Sequence, residues 1–510
     1  MDQLLASIDQ ENCHIMKERY VINPGYSLIP DENRVLFVNQ DNIDPGVKYE
    51  DNWTSYIHPF NAQLLAFFNG TDPLEEVVIK ASGFFGLTVD EIGKIVAGYI
   101  ENENSFSIPY NGSYMYFPAN VLVDKTKINV PYKIYRVEDF ILNGEVDLTS
   151  LRTSFPLALN LELTMKCHTD CFYCYANRKM HTKEMPLKTV ISIIRQAKQT
   201  GVVNFDISGG EVLLHPHYKE IISELLANGY TPFISTKVPV KKDKLQTLKE
   251  IGIKEIQISL DSVNPETLSK ILKVPTNYAD EIKETIRLTE EIGLSLRVHT
   301  IINSHNCIDE EIENLVDFLT GFVNLKTLQF TPAGYSLYKE GLYEQFRPTK
   351  TFLERMNRKI DEFREQYPRV TFNLSEADFH EDYRYECRKK NFPERATCTG
   401  NMRSMVILPD GRVTICEELY DHPEFIIGDL TKNTIKEVWN SDKAKSLFFL
   451  SRQLISEKSA CKKCSQFDHC RQGRGVCWKM VMYAYGKQNW DYPDPRCPEA
   501  PQMFNDICII

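Results

Sequence analysis

The stretch Leu157-Ala-Leu-Asn-Leu-Glu-Leu-Thr164 runs almost directly into Cys167-His-Thr-Asp-Cys-Phe-Tyr-Cys174. The first eight residues alternate apolar side chains, the mark of a strand. The loop that follows carries three thiols at C-x3-C-x2-C spacing, close enough to ligate three irons of one cubane cluster. The fourth iron then has no protein ligand, and an open iron can bind and reduce something. Zinc or plain core cysteines are the competing readings. A structural zinc site wants four ligands, usually as two pairs.

Downstream, the chain keeps alternating strand and helix. Leu187, Val190, Ile191 and Ile194 give a helix face, and Val202–Ser208 reads as a strand followed by Gly209-Gly210-Glu211. Pro232–Thr236, Glu255–Asp261, Leu294–Asn303 and Leu325–Thr331 are further strands, each preceded by a helical pattern. Repeated βα units imply a parallel sheet, and right-handed crossovers curl it into a barrel or part of one. Chemistry in such folds sits at the C-terminal strand ends, where every motif just named lies.

Upstream, Tyr26–Pro30 and Arg34–Asn39 read as strands joined by the turn Asp31-Glu-Asn33. Three short helices follow: one through Gln63–Phe68, one from Asp72 as N-cap, and one from Thr88 with Glu91 as a capping box. Asn111-Gly112 between Ser107-Ile108 and Tyr114–Tyr116 is a hairpin signal. This order is that of a winged helix. The last helix, Thr88–Glu101, carries Lys94 against Asp90, Glu91 and Glu101, which argues against DNA. Residues 1–20 read as a polar helical tail, 335–385 as helical and acidic, and Met405–Cys416 as a hairpin across Asp410-Gly411.

Composition sets the bounds. At 510 residues, 42% hydrophobic and 25% charged, the chain has room for three domains of a globular protein. A net charge of -11 argues against nucleic acid as the main partner. No run approaches a membrane span, and Met1–Asp9 lacks the basic start of a signal peptide, so the expected location is the cytoplasm. Thiols stay reduced there, so 14 cysteines call for metal rather than disulfides. Cys13, Cys307 and Cys508 stand alone. A second dense group comprises Cys398, Cys416, Cys461, Cys464, Cys470, Cys477 and Cys497, with Cys387 just ahead. Zinc ribbons are its competing reading.

A cysteine triplet with Tyr173 inside it, followed after the next strand by Gly-Gly-Glu, resembles the radical S-adenosylmethionine enzymes over about residues 155–335. The resemblance implies that Cys167, Cys171 and Cys174 hold a [4Fe–4S] cluster whose open iron is chelated by S-adenosylmethionine. Tyr173 would lie near the adenine, Gly209 and Gly210 would let backbone approach the cofactor, and Glu211 would accept from its amine. Ser235, Thr236, Ser259 and Asp261 match positions that contact its carboxylate or ribose, with Arg297 a further contact.

The second cysteine group resembles the SPASM extension, which carries two auxiliary clusters, although six residues precede Cys477 where that family has three. By family pairing Cys461, Cys464, Cys470 and Cys497 hold the outer cluster and Cys398, Cys416 and Cys477 the inner one. Cys387 either completes the inner set or leaves an iron open. Glu417 matches a position where relatives place a catalytic acid residue. The N-terminal segment is similar to the leader-binding domain of ribosomal-peptide maturases, which takes an extended peptide by β-augmentation.

The expected fold is therefore α/β: a partial (β/α)6 TIM-type barrel with an N-terminal winged-helix-like domain and a C-terminal cysteine-rich iron–sulfur domain. The expected boundaries are 1–125 for leader recognition, 126–155 as linker, 156–385 for the barrel and bridging helices, and 386–510 for the auxiliary clusters. The resemblance implies a peptide maturase with three [4Fe–4S] clusters and S-adenosylmethionine, fed by a donor such as flavodoxin or ferredoxin. Its partner is a leader-bearing precursor peptide, with neither nucleic acid nor membrane. A thioether cross-link stands first, a carbon–carbon or carbon–nitrogen cross-link second, and formylglycine formation by a sulfatase-maturating enzyme third.

Overall fold

The computed structural model describes residues 17–40, 45–50, 53–100, 102–177, 179–180, 183–339, 341–375, 388, 392–395, 397–505 and 507. Cys13, Cys387, Cys508 and nearly all of the expected N-terminal helical tail lie outside the described residues. The chain divides into two compact units, Met1–Ser154 and Phe155–Ile510.

In the first unit, β1 (Tyr20–Ile22), β2 (Tyr26–Asp31), β3 (Arg34–Asn39) and β4 (Thr54–Ile57) precede α1 (Pro59–Ala66), α2 (Leu74–Phe85) and α3 (Val89–Ala97). A hairpin of β5 (Phe106–Tyr110) and β6 (Ser113–Phe117) follows, then β7 (Leu122–Asp124), which pairs back with β1. The hairpin closes because Asn111 (φ 45°) and Gly112 (φ 76°) both take left-handed backbone, as a type I′ turn requires. Alternation along β6 sends Met115 and Phe117 inward and leaves Tyr114 and Tyr116 about half exposed. The capping box at α3 forms: Glu91 N donates to Thr88 Oγ1 at 3.2 Å, and Thr88 N donates to the Glu91 carboxylate at 2.8 Å. The expected cap of α2 does not form. Pro73 holds that position, and Asp72 is drawn off by Asn69 and Lys80, each at 3.0 Å.

In the second unit, β8 (Ala158–Thr164), α4 (Leu187–Thr200), β9 (Asn204–Gly209), α5 (Tyr218–Ala227), β10 (Ser235–Thr236), α6 (Lys242–Glu250) and β11 (Glu255–Ser259) follow in order. Then come α7 (Pro265–Leu272), α8 (Tyr278–Ile292), β12 (Ser295–Ile302), α9 (Asp309–Thr320), β13 (Leu325–Pro332), α10 (Lys350–Gln366) and β14 (Thr371–Leu374). Strands β10 to β14 form one parallel sheet in chain order. This is the expected α/β barrel pattern, and β14 adds a strand that the sequence did not announce.

Strands β8 and β9 pair in a separate sheet. Among the described residues no ladder joins β9 to β10, so the barrel is open there. Pro232 has no N–H to give a ladder, and Phe233 N donates instead to the Asp206 side chain at 3.1 Å. Of the expected strand Pro232–Thr236 only its last two residues pair.

On the other edge of β8 lies β15 (Ser404–Ile407), parallel to it and joined across the Asp410-Gly411 turn to β16 (Arg412–Thr414) and then β17 (Ile426–Asp429). The cysteine-rich segment thus extends the sheet that carries the cysteine triplet. Leu159, Leu161 and Leu163 bury one face of β8 in the core. Asn160 and Glu162 alternate onto the other.

Candidate active site

The triplet loop is fixed by neighbours that need its N–H groups. The last carbonyls of a helix have no partner within it. Those of Leu272 and Ile271, ending α7, accept from Asp170 N at 3.0 Å and Phe172 N at 3.1 Å. Lys339 Nζ donates to the carbonyls of Cys171 and Phe172. Thr169 Oγ1 lies 3.3 Å from both Cys167 Sγ and Cys171 Sγ. The three cysteines are free thiols lining one cavity of about 710 Å³. Burial pushes the Cys171 thiol up in pKa, opposed by the Lys237 charge. An uncrosslinked triplet over a cavity of this size fits a cluster with a small-molecule cofactor on it.

The glycine pair holds that loop down. Gly210 N donates to Thr164 O at 2.7 Å and Glu211 N to Lys166 O at 2.8 Å. A Cβ on Gly209 would stand 2.3 Å from Thr164 O, and one on Gly210 would stand 2.3 Å from Lys166 O. Both glycines also line the cavity, but their backbone contact is with the cysteine loop. Glu211 is 2% exposed. One carboxylate oxygen accepts from Thr236 Oγ1 (3.0 Å) and Lys237 N (3.2 Å), and the other from Leu213 N (3.2 Å). A carboxylate has about four acceptor sites, so one remains for an amine. Burial raises its pKa, and those same bonds oppose the rise.

Tyr173, Ser235, Thr236 and Ser259 line the cavity as well. Asp261 does not, and both its carboxylate oxygens are engaged within the protein: one accepts from Tyr173 OH and Lys237 Nζ, the other from Ile301 N at 2.9 Å. It holds Lys237, which does line the cavity. Arg297 is also off the cavity, exposed and paired with Glu255.

Sequence reasoning missed Lys237 and His299. Lys237 directly follows the expected Thr236, and its ammonium bridges Tyr173 and Asp261. Burial pulls its pKa down, and the charges of Asp261 and Cys171 more than offset that. His299 on β12 lies on the cavity wall, 2.9 Å from Thr331 Oγ1. Burial, then the Lys237 charge, lowers its pKa to about 4, so the imidazole is neutral. No motif marks a lone histidine in a strand.

In the C-terminal part, Cys497 lies within electrostatic reach of Cys461, Cys464 and Cys470, Cys470 also of Cys461, and Cys398 is within reach of both Cys416 and Cys477. Burial pushes the Cys416, Cys477 and Cys497 thiols up to about 12. Cys387 lies outside the described residues. Glu417 is not on the cavity wall; Asn160 Nδ2 donates to it at 3.3 Å. Its neighbour Glu418 is on the wall, bound by Lys479 and Tyr483, which line the same cavity.

The sequence matches the radical SAM superfamily over residues 161–319 and the SPASM iron–sulfur cluster-binding domain over residues 398–465. Similar curated proteins include the PqqA peptide cyclases of Methylorubrum extorquens (strain PA1) and Gluconobacter oxydans (strain 621H). The first is 23% identical over 350 residues, 68% of this chain and 86% of that protein. The second is 24% identical over 353 residues, 68% of this chain and 91% of that protein. Among solved structures, Streptococcus suis SuiB bound to precursor peptide SuiA superposes with a TM-score of 0.61 at 16% identity, covering 93% of this chain and 98% of that one. SuiB bound to S-adenosylmethionine gives 0.60 at 17% identity, covering 96% of this chain and 100% of that one. At such identities the likeness is one of fold. Residues 161–319 thus carry a radical SAM domain and residues 398–465 an SPASM iron–sulfur cluster-binding domain.

Proposed function

We propose that this radical SAM enzyme matures a precursor peptide by cross-linking it, joining a cysteine sulfur to a carbon of the same peptide. The observation that carries the reading is the shared cavity. Cys167, Cys171 and Cys174 line it together with Glu418, Lys479 and Tyr483, and Lys479 lies within electrostatic reach of Cys416 and Cys477. Space for a substrate therefore lies between the triplet and the second cysteine group. The names of the curated relatives and the peptide bound to SuiB support a peptide as that substrate.

Cys167, Cys171 and Cys174 would hold the first [4Fe–4S] cluster, Cys461, Cys464, Cys470 and Cys497 the second, and Cys398, Cys416 and Cys477 the third, with Cys387 as its remaining ligand. When bound, the clusters and S-adenosylmethionine supply the hydrogen-abstracting radical and take up the surplus electron. The chain's own residues do the rest. Glu211, fixed by three hydrogen bonds, orients the cofactor amine. Tyr173, Ser235 and Ser259 shape the wall around it. A thiol proton must be taken up as sulfur joins carbon. Glu418 faces the cavity for this, directly after Glu417 in the chain. The first unit, with its strands, three helices and hairpin, would take the leader as an added strand. A cytoplasmic site and a flavodoxin or ferredoxin donor complete the reading. Among the described residues no helix is long and apolar enough to cross a membrane.

A carbon–carbon or carbon–nitrogen bond is the second reading, favoured by the relatives' designation as peptide cyclases. The test uses the full chain, anaerobically reconstituted with iron and sulfide, and any short cysteine-containing peptide that a neighbouring reading frame encodes. A product lighter by two hydrogens, with one fewer alkylatable cysteine, is expected. The same mass loss with every cysteine alkylatable selects the second reading, and an aldehyde selects formylglycine formation. Equal modification of a leaderless peptide removes the role of the first unit.

A further inference from the structure

Arg471 is a buried cation whose counter-ion is not among the described residues. It is 5% exposed, and among the described residues no carboxylate pairs with it. One terminal nitrogen donates to Cys461 Sγ at 3.1 Å and to the carbonyls of Asp491 (3.1 Å) and Tyr492 (2.8 Å). Its Nε and its other terminal nitrogen are buried with no hydrogen-bond partner. Burying a guanidinium in this state is costly, because its hydration is lost and not replaced. A native site keeps such a group only where an anion faces it.

Its surroundings say which anion. Arg471 and Cys398 line one small cavity of about 30 Å³, with the Trp478 ring centroid 5.3 Å from the guanidinium carbon. The arginine thus stands between the Cys461 group and Cys398, a member of the other group. A second arginine repeats the pattern: Arg395 donates to Cys470 Sγ at 3.3 Å and to Gly475 O at 2.7 Å. Two guanidinium groups on two sulfurs of one four-cysteine set are donors waiting for thiolates and sulfides. Hydrogen bonds to cluster sulfurs and nearby charge set reduction potential.

We propose that Arg471 is a positioning residue for the auxiliary clusters, compensating the charge of the outer one through Cys461 and raising its reduction potential. The proposal rests on the reading that Cys461, Cys464, Cys470 and Cys497 hold a cluster. An outer cluster of higher potential is the better sink for the electron released as the sulfur–carbon cross-link closes.

The experiment is a redox titration of the reconstituted full chain by electron paramagnetic resonance, with iron counted on the same samples. For Arg471→Gln, the ratio of reduced to oxidised outer cluster at a fixed potential should fall about tenfold, which for a one-electron couple is about 59 mV. Arg471→Lys, which keeps the charge, should restore most of it. The signal of the Cys167–Cys171–Cys174 cluster should not move in either variant. Unchanged potentials at full iron content overturn the proposal alone. If Arg471→Gln loses iron, the lysine variant decides: equal loss there shows that charge is not what matters, and overturns it. Zinc in place of iron at the outer cysteines of the unaltered chain overturns the cluster reading, and the proposal with it.

Discussion

Lys237 Nζ lies 3.1 Å from Asp261 Oδ2, a pair in which the carboxylate side chain is fully buried and the lysine 17% exposed. Tyr173, the aromatic residue of the cysteine loop, donates to the same carboxylate oxygen. The loop is therefore tied to β11 and β10 by one buried charge cluster. Removing a single partner of such a pair costs roughly 3–5 kcal/mol, because the other charge is left uncompensated.

Lys237→Met should accordingly destabilise the cluster-loaded protein by about 3 kcal/mol. Adding Asp261→Asn should recover part of that loss, since the stranded carboxylate is then gone. Denaturant unfolding of the two variants measures the coupling. A double variant no more stable than Lys237→Met would show that the pair does not act as a unit.

Gly210→Ala tests the support of the cysteine loop. The added Cβ would stand 2.3 Å from the Lys166 carbonyl, a backbone atom that cannot rotate away. The segment carrying Cys167 must shift by more than an ångström-scale adjustment of a side chain could absorb. The expected result is an iron content lower by one cubane's share, with the fold otherwise intact by circular dichroism. Full iron incorporation would show that the loop tolerates the displacement.

Much of this was legible before any coordinates. The period-two pattern of Leu157–Thr164, the glycine pair and the cysteine spacings sit in single local stretches, and local stretches can be read. The Thr88–Glu91 capping box and the Asn111-Gly112 turn were readable for the same reason. What escaped needed tertiary neighbours. The place of Asp261 at a strand end is visible in the sequence, whereas Lys237, which it holds, arrives from another strand. Arg297 lies on a face whose alternation is right, but at a depth along β12 that only the register with Glu255 reveals. The parallel pairing of β15 with β8 joins residues 246 positions apart in the chain (Ser404 with Ala158), and no pattern in either segment announces it.

His299 gives the site an acid sensitivity of defined sign. Its folded pKa, about 4, lies below the ordinary 6.5. Between those values the unfolded chain binds a proton that the native state does not, so stability rises with pH and is lost as pH falls through this window. From pH 7 to pH 5.5 the loss assignable to this group is about 1 kcal/mol. Melting curves of the intact protein and of His299→Gln over that range should diverge accordingly, with the variant flatter. Parallel curves would show that folding does not lower the pKa of His299.

Glu162 carries the opposite sign. It is 2% exposed, and one of its carboxylate oxygens is buried with no partner. Burial, then the nearby Glu417 charge, holds its pKa well above the ordinary carboxylate range. The native state thus keeps a proton that the unfolded chain gives up above its ordinary pKa, and stability falls as pH rises from that point toward the folded value. Glu162→Gln fixes the neutral form at every pH and supplies N–H donors beside Glu417. The variant should be more stable than the parent at neutral pH, by on the order of 1 kcal/mol, because an unmade buried hydrogen bond is replaced by one that can form. The advantage should shrink as pH falls toward the ordinary carboxylate pKa. Unfolding titrations at two pH values read both effects. A variant less stable than the parent at neutral pH would mean that Glu162 is ionised, with a cationic partner that the described residues do not contain.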